Sequence, residues 1–274
     1  MSAISTFTTS DAQRIAYRLE GEAGRPVLML SNSIATDMSM WDGVMPQLLQ
    51  RFRVLRYDAR GHGASDVPAD AYSLDRLGRD ALELMGALAL ERVHFLGLSL
   101  GGMVAQWLGI HAPERIDHLV LAHTAAYLGP AADWEPRIQT ILTATPNETA
   151  DAFLGNWFPA EMREKNDPAL EPFRKVLLET KPHGIAGALA AVRDMDLRRT
   201  ITLISRPTLV LGGKFDTVTR AEHSEEIAAA IPGAKLVLLP AVHMSNVELR
   251  EEFVTEVGRF LPDVAGTSLS LDAC

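Results

Sequence analysis

Cysteine is almost missing from this sequence: of 274 residues only the last, Cys274, is one. A single thiol excludes an intrachain disulfide framework and any metal site built on cysteine thiolates, and it fits a reducing cytoplasm. Basic clusters are lacking too. With 26 Lys and Arg against 35 Asp and Glu, the formal net charge is −9, so the field of the whole molecule repels nucleic acid and anionic membranes. No uncharged apolar stretch reaches the length of a membrane span, and the opening segment through Arg18 has no apolar core of the signal-peptide kind. Internal repeats and low-complexity segments are absent. The expectation is a soluble cytoplasmic protein with no nucleic-acid and no membrane partner, for which a homo-oligomer stays open. What remains is ordinary globular composition, 47% hydrophobic and 22% charged, enough for one large core or one domain with an insertion.

Up to about residue 124 the pattern alternates strand with helix. Short apolar runs rich in β-branched residues at 25–31, 52–58, 92–98 and 115–123 read as parallel strands covered on both faces. Helical stretches at 41–50, 74–90 and 101–111 lie between them, which makes repeated β-α-β units and a doubly wound α/β sheet. From 125 to 200 the strand signal stops, and helical segments punctuated by seven prolines from Pro130 to Pro182 suggest an α-helical cap insertion. Strand patterns resume at 206–213 and 234–240, with helices at about 220–230 and 246–261. The expected division is a core of 1–124 and 201–262, a helical cap of 125–200, and a loosely ordered tail of 263–274.

The stretch "FLGLSLGGM" ends one of these strands with a serine between glycines. Gly97-Leu98-Ser99-Leu100-Gly101 matches G-x-S-x-G in a strand-to-helix context, the setting in which the pattern is informative. The glycines let strand and helix backbones approach closely, and the serine at the apex of the turn is lifted above the sheet. The first N–H groups of the following helix are unpaired, so that of Leu100 is placed to stabilise an oxyanion. The competing reading is a serine that merely caps the helix.

A serine hydroxyl needs an oriented base. His243, in "LPAVHMSNVE", follows the last expected strand, and Ser245 with Glu248 forms a capping box for the next helix, which leaves the histidine without a capping duty. The orienting acid should lie between serine and histidine in the chain, the order of α/β hydrolases. Asp216, in "VLGGKFDTVTR", qualifies, since Thr219 with Glu222 supplies the box for its helix. After the preceding strand, 122–126 read "AHTAA" and offer no carboxylate. His62, His94, His111, His118 and His223 read as structural. His123 and His183 could approach a pocket, but neither is expected within reach of a carboxylate on the Asp216 loop. In the loop "SNSIATDMSMW" after the first central strand, counting back from Trp41 puts Ile34 at the second oxyanion donor. Asn32 and Ser33 just before it either touch substrate or stabilise the turn.

Taken together, "LSNSIATDMSMWD", "FRVLRYDARGHGASDVP", "HFLGLSLGGMVAQWL", "APERIDHLVLAHTAA" and "AVHMSNVE" resemble the 3-oxoadipate enol-lactonases of the α/β hydrolase superfamily over nearly the whole chain. The resemblance implies an α/β hydrolase fold, a mostly parallel central sheet with helices on both faces, and a triad of Ser99, Asp216 and His243. It implies hydrolysis of a small anionic lactone to 3-oxoadipate through an acyl-enzyme, in aromatic catabolism, with no metal or organic cofactor. Too few residues follow Phe260 for the decarboxylase fused to some relatives, so a stand-alone form is expected. The family often carries glycine where this chain has Ala35. A substrate carboxylate calls for a cation or amide, and the cap offers Trp134, Arg137, Lys181 and Arg193, with Asn32 or Ser33 as another anchor. Each arginine taken singly has the rival reading of a solvated side chain paired with neighbours such as Asp194 and Asp196, and Trp134 and Trp157 that of cap core. A general carboxylesterase or cofactor-free perhydrolase would share the triad, and a non-catalytic ligand receptor would share the fold. A haloalkane dehalogenase is disfavoured, because it needs a carboxylate where Ser99 stands.

Overall fold

The computed structural model describes residues 3–262; the expected tail at 263–274, Cys274 included, lies outside the described residues. Its strands are β1 (Ser5–Thr8), β2 (Arg14–Glu20), β3 (Val27–Ser31), β4 (Arg53–Tyr57), β5 (Val93–Leu98), β6 (Ile116–Ala122), β7 (Thr208–Gly213) and β8 (Lys235–Leu239). They form one sheet in the order β1-β2-β4-β3-β5-β6-β7-β8, antiparallel through β2 and parallel from β4 onward. The fold is that of an α/β hydrolase, with a mostly parallel sheet. All six residues of β5 and all six of β7 are buried, which is why these strands read as unbroken apolar runs rather than as alternation.

The helices are α1 (Met45–Leu48), α2 (Leu74–Ala87), α3 (Leu100–His111), α4 (Trp134–Thr143), α5 (Pro146–Trp157), α6 (Ala160–Glu164), α7 (Glu171–Glu179), α8 (Pro182–Asp194), α9 (Ala221–Ala230), α10 (Ser245–Glu248) and α11 (Arg250–Phe260). α2 shows how one is specified. The Ser73 hydroxyl accepts the Arg76 N–H at its start, Asp75 sits in the first turn, and Leu74, Leu77, Ala81, Leu84 and Met85 turn one face to the core. α3 is different: Leu100 through Gly109 are all buried, because it crosses the middle of the sheet beneath other helices. α4 to α8 all fall between β6 and β7, in the stretch without strand signal. No helix among the described residues is long and apolar enough to cross a membrane.

Three expectations need correction. The N-terminal strands went unread because β1 is short and largely exposed, so it carries no apolar alternation. The helix expected over 41–50 is a 3-10 turn (Met38–Trp41) followed by the single turn of α1, with Gly43 and Pro46 breaking the run. The helix expected over 246–261 is interrupted at Leu249, whose backbone leaves the helical region.

The chain runs from β3 outward to β4 and then returns to β5 on the other side of β3. Loops leaving adjacent strands in opposite directions open a crevice at the carboxyl end of the sheet. The loops after β3, β5, β6, β7 and β8 all reach that edge.

Candidate active site

Ser99 follows β5 directly and holds φ 57°, ψ −115°, a conformation that is costly for a residue with a Cβ. It makes no capping hydrogen bond, so the hydroxyl is not used to start α3. The turn is possible only because of its glycines. A Cβ on Gly97 would lie 2.0 Å from the Gly101 carbonyl oxygen, and one on Gly101 would lie 2.1 Å from that of Ser31. The Ser99 N–H donates to Ala122 O at 2.9 Å, and the Thr124 hydroxyl donates to Ser99 O at 2.8 Å, so the end of β6 braces the serine on both sides.

Asp216 and His243 are brought together by backbone pairing of their loops: Lys214 N–H donates to Leu239 O at 2.8 Å and Phe215 N–H to Ala241 O at 3.0 Å. Gly213 permits the approach, since a Cβ there would meet Val242 O at 2.4 Å. His243 Nδ1–H donates to Asp216 Oδ2 at 2.8 Å. That leaves Nε2 as the acceptor nitrogen, and it is buried without a partner among the described residues. From the end of α5, Trp157 O accepts the N–H groups of His243 and Met244, both at 3.3 Å, tying the histidine loop to the helices above the sheet.

The carboxylate of Asp216 accepts five hydrogen bonds. Oδ1 takes the N–H groups of Val218 at 2.8 Å and Thr219 at 3.0 Å; Oδ2 takes the Thr219 hydroxyl at 2.9 Å, His243, and His123 Nδ1–H at 3.1 Å. Burial alone would raise this carboxyl, but the two imidazoles and their hydrogen bonds outweigh it and hold Asp216 far below the usual carboxylate range. The expectation that His123 lies beyond reach of Asp216 is therefore corrected. The end of β6 is adjacent to that of β7, and sheet order, invisible in the spacing, places His123 beside the acid. Both anticipated capping boxes are corrected as well. Thr219 gives its hydroxyl to Asp216, and Ser245 gives its own to His123 Nε2 at 2.7 Å, while neither α9 nor α10 has a side-chain cap.

Ile34 and Leu100 line the same cavity of about 290 Å³ as Ser99 and His243. Neither backbone N–H has an acceptor among the described residues. Ala35 beside Ile34 has φ 58°, a left-handed conformation that favours glycine. Asn32 does not touch the cavity. Its amide donates to Tyr57 O and its Oδ1 accepts from Trp41 Nε1, so both ends are consumed in holding the loop. Ser33 is buried with an unpartnered hydroxyl and likewise stays out of the lining.

Of the cap candidates, Trp134 and Arg137 line the cavity and Arg193 does not. Arg193 is spent on Glu135 at 2.9 Å and Asp194 at 2.7 Å. Lys181 lies on a separate surface cleft with Arg14 and Asp66. Arg137 stacks over Trp134 at 4.8 Å and has no acidic partner among the described residues. Together with Trp134, Leu128, Asn156 and Val218 it also borders an adjoining polar cleft of about 640 Å³ that contains Arg198 and Arg220. Trp157, read from the sequence as core only, is buried at the end of α5 and also lines the cavity.

A model of the alpha/beta hydrolase fold family matches residues 26–248. The chain is 35% identical over 247 residues to 3-oxoadipate enol-lactonase 2 of Acinetobacter baylyi, covering 89% of this chain and 92% of the relative. Among solved structures it is similar to a hydrolase from Pseudomonas aeruginosa PA01, with 57% identity, TM-score 0.93 and coverage of 94% and 97% of the two chains. It is also similar to the enol-lactonase from Burkholderia xenovorans LB400, with 36% identity, TM-score 0.90 and coverage of 93% and 99%.

Proposed function

For a chain that belongs to the alpha/beta hydrolase family, and is a hydrolase, we propose that the reaction is opening of an enol-lactone bearing a free carboxylate, yielding 3-oxoadipate. The observation that carries this reading is one cavity holding Ser99, the unspent Nε2 of a carboxylate-anchored His243, and an arginine without an acidic partner.

The chemistry follows from the groups. His243 Nε2 takes the Ser99 proton as Oγ attacks the lactone carbonyl, and the N–H groups of Ile34 and Leu100 receive the oxyanion, each such donor contributing about 3 kcal/mol in the transition state. Collapse breaks the ring C–O bond; the departing enol oxygen takes the proton from His243, and the enol relaxes to a ketone, which makes reclosure unfavourable. Water deprotonated by His243 then attacks the acyl-enzyme and releases Ser99 with its proton restored. Asp216 holds the His243 ring and stabilises its cation in both halves. The substrate carboxylate pairs with Arg137, whose guanidinium is free for a bidentate contact and lies at the junction of cavity and outer cleft.

The apolar side chains around the rest of the cavity, among them Met103, Phe153 and Leu189, also suit a neutral ester. Hydrolysis assays on 3-oxoadipate enol-lactone and on a neutral ester of similar size separate the two. Ser99→Ala is expected to abolish turnover of both. Arg137→Met is expected to lower kcat/KM for the lactone about 10- to 100-fold while leaving the ester within a few-fold. A wild type that prefers the neutral ester, or an Arg137→Met protein that treats both alike, defeats the lactonase assignment.

A further inference from the structure

We propose that His123 is a positioning residue of the reaction centre: its Nδ1–H shares Asp216 Oδ2 with His243 and thereby sets how much carboxylate charge reaches the base. This rests on the triad proposed above, in which His123 has no part.

The geometry around His123 is closed on every side. Its own N–H donates to Leu211 O at 2.7 Å, fixing the residue to β7 with φ 46°, a left-handed conformation that a β-carbon tolerates poorly. Asp216 comes from the loop after β7 and His243 from the loop after β8, the two rings lying edge to face with centroids 5.8 Å apart. Ser245, the first residue of α10, faces Nε2, and Gly213 of β7 packs on the ring, where a Cβ would come within 3.0 Å of Cε1. Glu248 of α10 is the remaining charged group that feels Asp216, and its carboxylate accepts the Val242 N–H at 2.8 Å. An ionised carboxylate accepts only, so Nδ1 of His123 carries the proton and Nε2 accepts from the Ser245 hydroxyl. The ring is fully buried, does not line the cavity of Ser99, and has both nitrogens engaged, so it cannot itself act as the base. Burial lowers its tendency to charge, which keeps it a neutral donor.

Two imidazole N–H groups then draw on one oxygen. A carboxylate that gives part of its charge to His123 stabilises the His243 cation less than one devoted to it alone. His123 and Thr124 directly follow β6, and the Thr124 hydroxyl holds Ser99 O, so one short stretch of chain touches both the acid and the serine.

The test uses the full chain with His123→Phe, which keeps a ring and removes the donor, and His123→Asn, whose side-chain amide can occupy the δ position. The readout is the pH dependence of inactivation by diethyl p-nitrophenyl phosphate, in which the Ser99 oxygen bonds to phosphorus and p-nitrophenolate leaves. Losing the donor concentrates charge on His243, so the acid limb of the His123→Phe profile is expected to rise by about one pH unit. The rate on the plateau should stay within a few-fold, and His123→Asn should keep the wild-type limb. Superimposable profiles, or a uniform loss at all pH values in both variants, overturn the proposal. Proton NMR of the unmodified wild type supplies an independent measurement that survives a folding failure of His123→Phe. Two histidine Nδ1–H signals far downfield that vanish together in Asp216→Asn support the shared carboxylate; a single signal refutes it. A wild type inert to the phosphate ester counts against the proposed triad alone, since the NMR signals still report on His123.

Discussion

Two pairs of histidines sit at opposite ends of the same sheet. At the carboxyl end His123 and His243 meet edge to face at 5.8 Å; toward the amino end His94 of β5 and His118 of β6 do the same at 5.0 Å. The first pair shares Asp216, and every nitrogen but one is hydrogen-bonded. The second has no carboxylate in hydrogen-bond reach among the described residues: both His94 nitrogens and His118 Nδ1 are unpartnered there, and the nearby Asp117 is engaged by Arg92 at 3.3 Å. The rings around the lower pair are those of Phe52 and Phe260. Residue type and ring geometry are thus alike, although His118 is only half-buried, and the shared anion is what most clearly separates the upper pair from the lower. With it, one nitrogen, Nε2 of His243, is left over on a residue that lines the cavity of Ser99. Without it, burial drives His94 down to about 4 and lowers His118 too, so both stay neutral and pack as flat aromatic groups.

This contrast can be attacked in order of expected effect. His243→Gln should lower esterase or lactonase turnover by about 10⁴-fold or more, whereas His94→Gln should leave kcat/KM within a few-fold; steady-state kinetics on both variants would show whether the division of labour is real. Asp216→Asn makes the upper pair resemble the lower one, and a loss of about 10³- to 10⁴-fold in kcat is expected with little change in KM, because the amide cannot hold the His243 tautomer or stabilise its cation. A kcat near that of wild type would mean that the anion is not the decisive feature.

The lower pair should declare itself in stability instead. The folded-state value for His94 lies below the unfolded one, so protons bind the unfolded chain preferentially, and stability falls as pH drops from about 6.5 to about 4. The loss from this residue is about 3 kcal/mol, read by urea unfolding across that interval, and His94→Phe should flatten it. The smallest effect concerns strain. Of six non-glycine residues with positive φ among those described, Ala35, Ser99 and His123 gather at the upper end. Ala35→Gly relieves one of them at the cost of a looser unfolded chain, for a net gain of about 0.5–1 kcal/mol in thermal unfolding.

Legibility in the sequence followed the locality of each signal. The parallel strands announced themselves as apolar runs, and the Gly97–Gly101 turn as a pattern whose spacing alone demands close backbone approach. Asp216 and His243 were found as loop residues after strands with no evident local duty. Partner choice was where reading by residue failed. A hydroxyl three residues before a glutamate looks like a cap, yet Thr219 and Ser245 face a buried carboxylate and a buried imidazole that need donors more than a solvated helix end does. Asn32 and Arg193 failed similarly: each was a plausible ligand-binding group whose side chain is already satisfied by the protein.

The amino-acid order by itself determined the α/β architecture, the strained serine turn and the placing of Asp216 and His243 in loops after strands, because each is written in neighbours a few residues apart. Only the tertiary structure decided which histidine pair receives the charge, since that depends on β6 lying against β7 and on two loops zipped together across the top of the sheet. Hydrogen bonding is satisfied in space, and a polar side chain takes the partner whose desolvation would otherwise cost most, however distant it is along the chain.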